Sequence, residues 1–316
     1  MRRINQIKPC LFSPGELLAS IMVFLSLFSF SVEAQQFVVA FPQDTLSNDY
    51  RLAQVKEVEN SFKQYPDVKF IFSDAKGSTA RLIQNIEEHV QSGIDLLMVS
   101  PDNAEALAPL ITSIFRRGIP VVMVDRDLSV PEYTTLVHPD NRVIANKAAT
   151  YMAKKMKGNG TILMLKGVPQ ASVTVDRTEA FKEVIARYPG IKIIERTANF
   201  LRSDSILVME NLIGKKIHFD AIYSQSDSML SGVRMVFRAK NIEPSSILSV
   251  GIDYITEAKN AIASGEQDST FRYSLCGREA VEAAMKILNG NKVSKEIVIE
   301  SVHVTKNNID QVKPIF

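Results

Sequence analysis

Short, continuous apolar runs alternate along this chain with stretches in which apolar residues recur every three or four positions. Residues 37–41, 68–73, 96–100 and 121–125 are rich in Val, Ile, Leu and Phe and read as buried strands. Between them, residues 50–65, 78–92 and 104–117 carry helical spacing; Leu82, Ile83, Ile86 and Val90 fall on one face of the second. Gly93, Gly118 and Pro120 punctuate the returns from helix to strand. The pattern then restarts. Strands are predicted at 134–138, 161–165, 191–197, 221–224 and 247–252, and helices from Asn141 to Met156 and at 172–188, 203–215, 226–240 and 254–264.

Repeated βαβ units with continuously apolar strands predict parallel sheets covered by helices on both faces. One open sheet of ten or more strands would be unusual, so the chain is expected to form two doubly wound parallel-sheet α/β lobes. Residues 268–272, a helix at 274–289 and a strand at 297–304 are too few for a third core. They are expected to return to the first sheet and then re-enter the second, with chain crossings near His138, Tyr273 and Glu300. This divides the chain into a first lobe of residues 35–138 plus 274–300 and a second of 139–273 plus 301–316. Three parallel connections restrain twisting and permit a hinge.

Composition narrows the class. The 316 residues include 37 Lys and Arg against 35 Asp and Glu, with no basic block, which argues against nucleic acid as a partner. The N-terminus differs from the rest. Arg2, Arg3 and Lys8 precede an apolar stretch at 17–30, followed by Ser31-Val32-Glu33-Ala34. That order predicts a secretory signal peptide over residues 1–34, cut after Ala34, and hence a periplasmic protein. Cys10 would leave with it, and Cys276 would remain as a small buried hydrophobe on a helix.

The candidate chemistry lies at strand ends. Val121-Val122-Met123-Val124-Asp125-Arg126 delivers two opposite charges to the edge where ligands bind in open α/β sheets. The four histidines share no ligand spacing with Cys or Asp, Gly158-Asn159-Gly160 is a turn rather than a phosphate loop, and Ser172 and Ser226 lack a hydrolase elbow. No metal, no cofactor and no catalysis are expected.

Several motifs in order carry a family likeness. They are Asn48-Asp49-Tyr50-Arg51, Ser100-Pro101, Val124-Asp125-Arg126, Pro139-Asp140-Asn141, Ala171-Ser172-Val173 with Asp176-Arg177, Asn199-Phe200-Leu201-Arg202, Ser226-Asp227-Ser228-Met229 and Gly251-Ile252-Asp253. With these the chain resembles the type I periplasmic binding proteins of the ribose and galactofuranose group, the solute receptors of ABC importers. The resemblance implies that Asn48 bonds the ligand, Tyr50 and Phe200 cover its faces, Asp125 and Arg126 clamp ring hydroxyls, Arg177 reaches in from the second lobe, and Asp253 accepts hydroxyl protons. Ser100 and Ser226 stand where the family commonly has Asn, Tyr273 where it has Gln, and Arg51 where ribose receptors carry a second aromatic. Pro139 replaces a small polar residue at the first crossing. Fewer amides and an added Arg point away from ribose itself.

The resemblance implies a monomer that encloses a monosaccharide or related polar solute and presents its closed form to an inner-membrane ABC permease. The alternative partner is a sensory receptor, a histidine kinase or chemoreceptor. A repressor of the related type would need a helix-turn-helix where this chain has its leader. Asp125 and Asp253, both expected in the cleft, favour a neutral sugar over an anionic one. Arg51 is expected to face that ligand, the alternative being a solvated surface Arg.

Overall fold

The computed structural model describes residues 36–316, so the predicted signal peptide lies outside the described residues. In chain order the described elements are β1 (Phe37–Gln43), α1 (Asp49–Phe62), β2 (Val68–Asp74), α2 (Thr79–Gln91), β3 (Leu96–Val99), α3 (Ala104–Arg116), β4 (Val121–Val124), β5 (Thr135–Pro139), α4 (Asn141–Lys155), β6 (Asn159–Lys166), α5 (Ser172–Ile185), β7 (Gly190–Thr197), α6 (Arg202–Gly214), β8 (Ala221–Ser224), α7 (Asp227–Ala239), β9 (Leu248–Val250), α8 (Thr256–Ser264), β10 (Ser269–Arg272), α9 (Gly277–Leu288), β11 (Glu296–Ile299) and β12 (Val302–Thr305). Several helix starts are written locally. Asn48, Ser78, Asn103, Asp140 and Ser226 each accept a backbone N–H three residues on, satisfying a donor that the helix leaves free.

The strands form two six-stranded sheets, ordered β11-β5-β4-β3-β1-β2 and β12-β10-β9-β8-β6-β7. The fold is the expected one, two doubly wound α/β lobes. Pairing is parallel except at the edge of the second sheet, where β12 runs antiparallel to β10. The chain passes between the sheets after β5, after β10 and between β11 and β12. Residues 297–304, expected as one strand, are split at Glu300-Ser301: Ile297 pairs with Val137 in the first sheet, and Val302 with Arg272 in the second.

Each sheet is covered on both faces. On the first, α1 and α9 bury Val55, Val58 and Ala280 against Phe41, Met98 and Val124, while α2 and α3 bury Leu82, Ile86 and Ile111 on the other side. On the second, α4 and α5 cover one face, with Phe181 stacked on Tyr223 at 4.0 Å, and α6 and α7 the other. Cys276 is buried, but it caps α9 with φ +63° instead of lying within the helix.

Helices α6 and α7 approach so closely that a Cβ at Gly232 would stand 2.2 Å from Ser205 Oγ and 2.6 Å from the Arg202 carbonyl oxygen. Gly232→Ala should therefore destabilise the protein by about 1–3 kcal/mol through overpacking, outweighing the ~1 kcal/mol that alanine gains over glycine in a free helix. Urea unfolding of the variant checks the sign.

Candidate functional site

The residues that gather between the two sheets come from the loops that leave C-terminal strand ends and from the first two turns of the helices that follow them. After β1 come Asn48, Tyr50 and Arg51; after β4, Asp125 and Arg126. The second sheet supplies Val173 and Arg177 after β6, Phe200 after β7, Ser226 and Ser228 after β8, Asp253 after β9 and Tyr273 after β10. Together they line one small cavity. All of these side chains are buried.

Every residue expected in the site lines this cavity except Ser100. Ser100 is fully buried at the end of β3, and its short hydroxyl makes no hydrogen bond within the protein and does not reach the cavity wall. Arg51 does not face solvent; it is buried and paired. Arg272 points elsewhere, donating from Nε to the Lys313 carbonyl.

The charges form a chain, and Asp125 and Arg126 are not partners of one another. Arg51 donates from Nη2 to Asp125 Oδ2 at 2.7 Å and from Nη1 to Gln54 Oε1 at 2.9 Å. Arg126 donates from Nη1 to Asp44 Oδ2 at 2.9 Å. Tyr273 donates its hydroxyl to Asp125 Oδ1 at 2.6 Å and accepts from Asn141 Nδ2 at 3.1 Å. Burial alone would raise the Asp125 and Asp44 carboxyls, but the guanidiniums of Arg51 and Arg126 hold both below the usual carboxylate range. Burial likewise works against the charge on Arg51, and Asp125 and Asp44 outweigh it, so its pKa rises.

From the second lobe, Arg177 donates from Nε to Asn141 Oδ1 at 2.8 Å and from Nη1 to the Gln225 carbonyl at 2.7 Å, and lies 4.5 Å from the Tyr273 ring centre. Asp253 faces the cavity, and burial, then the nearby Asp227, push its carboxyl well above the ordinary value against the pull of Arg177. Asp227 props the loop that carries it. It accepts from Tyr254 N, Thr270 Oγ1 and Gln267 Nε2 at 2.7, 2.6 and 2.8 Å, yet burial still pushes it up to about 6.

Phe200 reaches the cavity by a strained route. Its φ is +61°, and its ring occupies the space a Cβ at Gly167 would need, the ring atoms standing 1.9–2.3 Å from that position. Only glycine fits there. Asn48 fastens this loop across the mouth, donating from Nδ2 to the Phe200 carbonyl at 2.9 Å. Asp49 adds bonds from Arg202 at 2.9 Å and Ser228 at 3.0 Å, and Asp127 N donates to Ser172 Oγ at 2.8 Å.

A wall of aromatic faces around opposed Arg and Asp groups, enclosed between two lobes, suits a small polar molecule. The family model described as the periplasmic binding protein domain matches residues 39–292. The chain belongs to this family. Its members are solute-binding proteins. The chain is 29% identical over 265 residues to the ribose import binding protein of Bacillus subtilis, covering 83% of this chain and 85% of that protein. It is 27% identical over 269 residues to the xylitol-binding protein of Mycolicibacterium smegmatis, covering 82% and 75%. A galactofuranose-binding protein shares the fold, with a TM-score of 0.82, 23% identity and coverage of 87% and 96%. The binding component of the arabinose ABC transporter of Shewanella sp. ANA-3 is 27% identical with a TM-score of 0.79, covering 87% and 93%.

Asp44, Asn141, Gln225, Ser228 and Val173 also belong to this constellation or its support and were not singled out from the sequence. Asn141, Val173 and Ser228 stood in recognised motifs without an assigned role. Asp44 follows an apolar strand as Asp125 does, and that position was its signal. Replacing Tyr273 by Phe should lower stability by about 1–3 kcal/mol, because Asp125 Oδ1 and Asn141 Nδ2 each lose a buried partner. Denaturant unfolding of Tyr273→Phe measures it.

Proposed function

We propose that this chain is the periplasmic receptor of an ABC importer and encloses one neutral monosaccharide or sugar-like polyol between its lobes. The observation that carries the reading is the cavity itself, which Arg and Asp side chains line together with Tyr50, Tyr273 and Phe200. A sugar presents a rim of hydroxyls and apolar C–H faces. Charged groups bind the rim directionally and rings cover the faces. The ligand-binding set is Asn48, Tyr50, Arg51, Asp125, Arg126, Arg177, Phe200, Ser226, Asp253 and Tyr273, with Ser228 and Val173 added.

The pairing of charges at the edge of the first sheet supports an uncharged ligand. Arg51 and Arg126 are already matched by Asp125 and Asp44. The relatives named for ribose, xylitol and arabinose support the same ligand class. No step of catalysis enters this reading. The lobes, residues 35–138 plus 274–300 and 139–273 plus 301–316, would open about the three connections and close on the ligand. Export follows from the leader at residues 1–34, and the closed monomer would dock on the permease. Among the described residues no helix is long and apolar enough to cross a membrane.

Mass spectrometry of what co-purifies, then a thermal-shift screen of pentoses, hexoses and polyols, tests the ligand; a bound ligand raises the midpoint by mass action. Failure of every neutral sugar and polyol to shift it would refute the reading. Crosslinking to inner-membrane proteins decides the partner, with capture of a permease expected and capture of a sensor kinase or chemoreceptor against it.

Asp125→Ala should weaken sugar binding by about tenfold to a few hundredfold, since it removes a charged acceptor and strands Arg51. Arg51→Ala should also weaken it, with little dependence on salt, because a buried guanidinium bonding a neutral hydroxyl is poorly screened. A steep salt dependence in calorimetric titrations would instead favour an anionic ligand.

A further inference from the structure

Beneath the cavity, on the face of the first sheet that α1 and α9 cover, further polar groups lack protein partners. Gln43 and Ser100 are fully buried, yet neither polar atom of the Gln43 amide nor the Ser100 hydroxyl has a hydrogen-bond partner within the protein. Arg126 Nε and Asp44 Oδ1, also buried, share that condition, as does Asp102 Oδ1 on the loop after β3.

The first four groups converge. In the β1–β3 pairing Val39 lies opposite Leu96 and Ala40 opposite Leu97, and the same offset continued sets Gln43 beside Ser100. Strand alternation puts both on the side of Phe41 and Met98, under α1 and α9. Arg126 ties the group together, donating from Nη1 to Asp44 at 2.9 Å and to the carbonyl of Pro101, next to Ser100, at 3.4 Å. Asp44 Oδ1 stands 3.7 Å from Arg51 Nε, beyond direct hydrogen-bond range.

We propose that Gln43, Ser100, Asp44 and Arg126 form a built-in water site beneath the ligand cavity, and that this water positions Arg51 and Arg126 for the ligand. The donor set selects water over a cation. Arg126 Nε–H and the Gln43 amide N–H groups donate, Asp44 Oδ1 and Gln43 Oε1 accept, and the Ser100 hydroxyl does either. A cation takes oxygen acceptors and would meet a guanidinium here. Water both donates and accepts, and polar sites with several such partners are where buried waters sit. A water bonded to Asp44 Oδ1 and Arg51 Nε also closes the 3.7 Å gap. Gln43 and Ser100 are positioning residues, acting on the ligand through the two arginines.

The water site rests on the packing alone; its effect on affinity rests on the sugar-receptor reading. A high-resolution crystal structure of the full mature protein should show solvent density within hydrogen-bond distance of the Gln43 amide and of Ser100 Oγ or Arg126 Nε. Those atoms pairing with one another, with no solvent between them, would overturn the site. Affinity is then measured for whichever of ribose, arabinose, fructose, xylitol and myo-inositol gives the largest thermal shift. Ser100→Ala and Gln43→Met should each weaken binding by about five- to twentyfold. Ser100→Asn, whose longer amide supplies bonds of its own, should recover most of the loss. Affinities unchanged in both Ser100→Ala and Gln43→Met would refute the positioning role. If none of these sugars shifts the native protein, the receptor reading fails, and the solvent density still decides the water site.

Discussion

Two arginines and two aspartates share the C-terminal edge of the first sheet with almost no access to water, and much else in the structure is arranged around keeping them satisfied. Moving charges out of water is costly unless each finds a partner of opposite sign. Here Arg51 takes Asp125 and Arg126 takes Asp44, at 2.7 and 2.9 Å. Because Asp125 also accepts from Tyr273, on the far side of a chain crossing, the charge network of one lobe is bonded to a residue that leads out of the other. The proposed ligand would thus enter a field already close to neutral, where hydroxyls bind by direction more than by net charge.

Both lobes also hold side chains at angles an ordinary backbone would not present, Asp125 in the first with φ +72° and more residues in the second. Asn199, Phe200, Asp253 and Tyr254 all have positive φ without being glycine, with Asp253 at +121°. Such conformations cost roughly 1–3 kcal/mol each and persist where surroundings over-determine them. The surroundings are visible. Gly167 cedes its side-chain space to the Phe200 ring, and Gly251 does the same for Asp227, whose carboxylate grips the Tyr254 amide. The loops that carry Phe200 and Asp253 into the cavity are among the places where such strain sits.

Strand-end motifs made most of this legible in advance. A continuous apolar run followed by polar residues marks a strand and its C-terminal edge together, which placed Asp125 and Arg126, while Asp253 was placed by the resemblance of its motif. Arg51 was harder, since a helix-start Arg reads equally well as surface until Asp125 is seen opposite it. Ser100 sits in a recognisable motif, yet its hydroxyl stops short of the cavity, and side-chain reach is not written in spacing. Gln225 contributes through its carbonyl and amide just before the Ser226-Asp227-Ser228 motif, and which residue of that polar run bonds Arg177 is not written in spacing. The crossing near Glu300 was legible, but not that residues 297–304 form two strands, because Glu300-Ser301 carries neither Gly nor Pro to end one.

That break orders the events of folding. Helix α9 and strand β11, which cover one face of the first sheet and pair with its β5 edge, are encoded after the whole parallel run of the second sheet. A chain emerging from its N-terminus therefore has Phe41, Met98 and Val124 covered by α1 alone until residues 277–299 have been made. The second sheet waits longer still, for β12, so neither sheet has all its strands until nearly the whole chain exists.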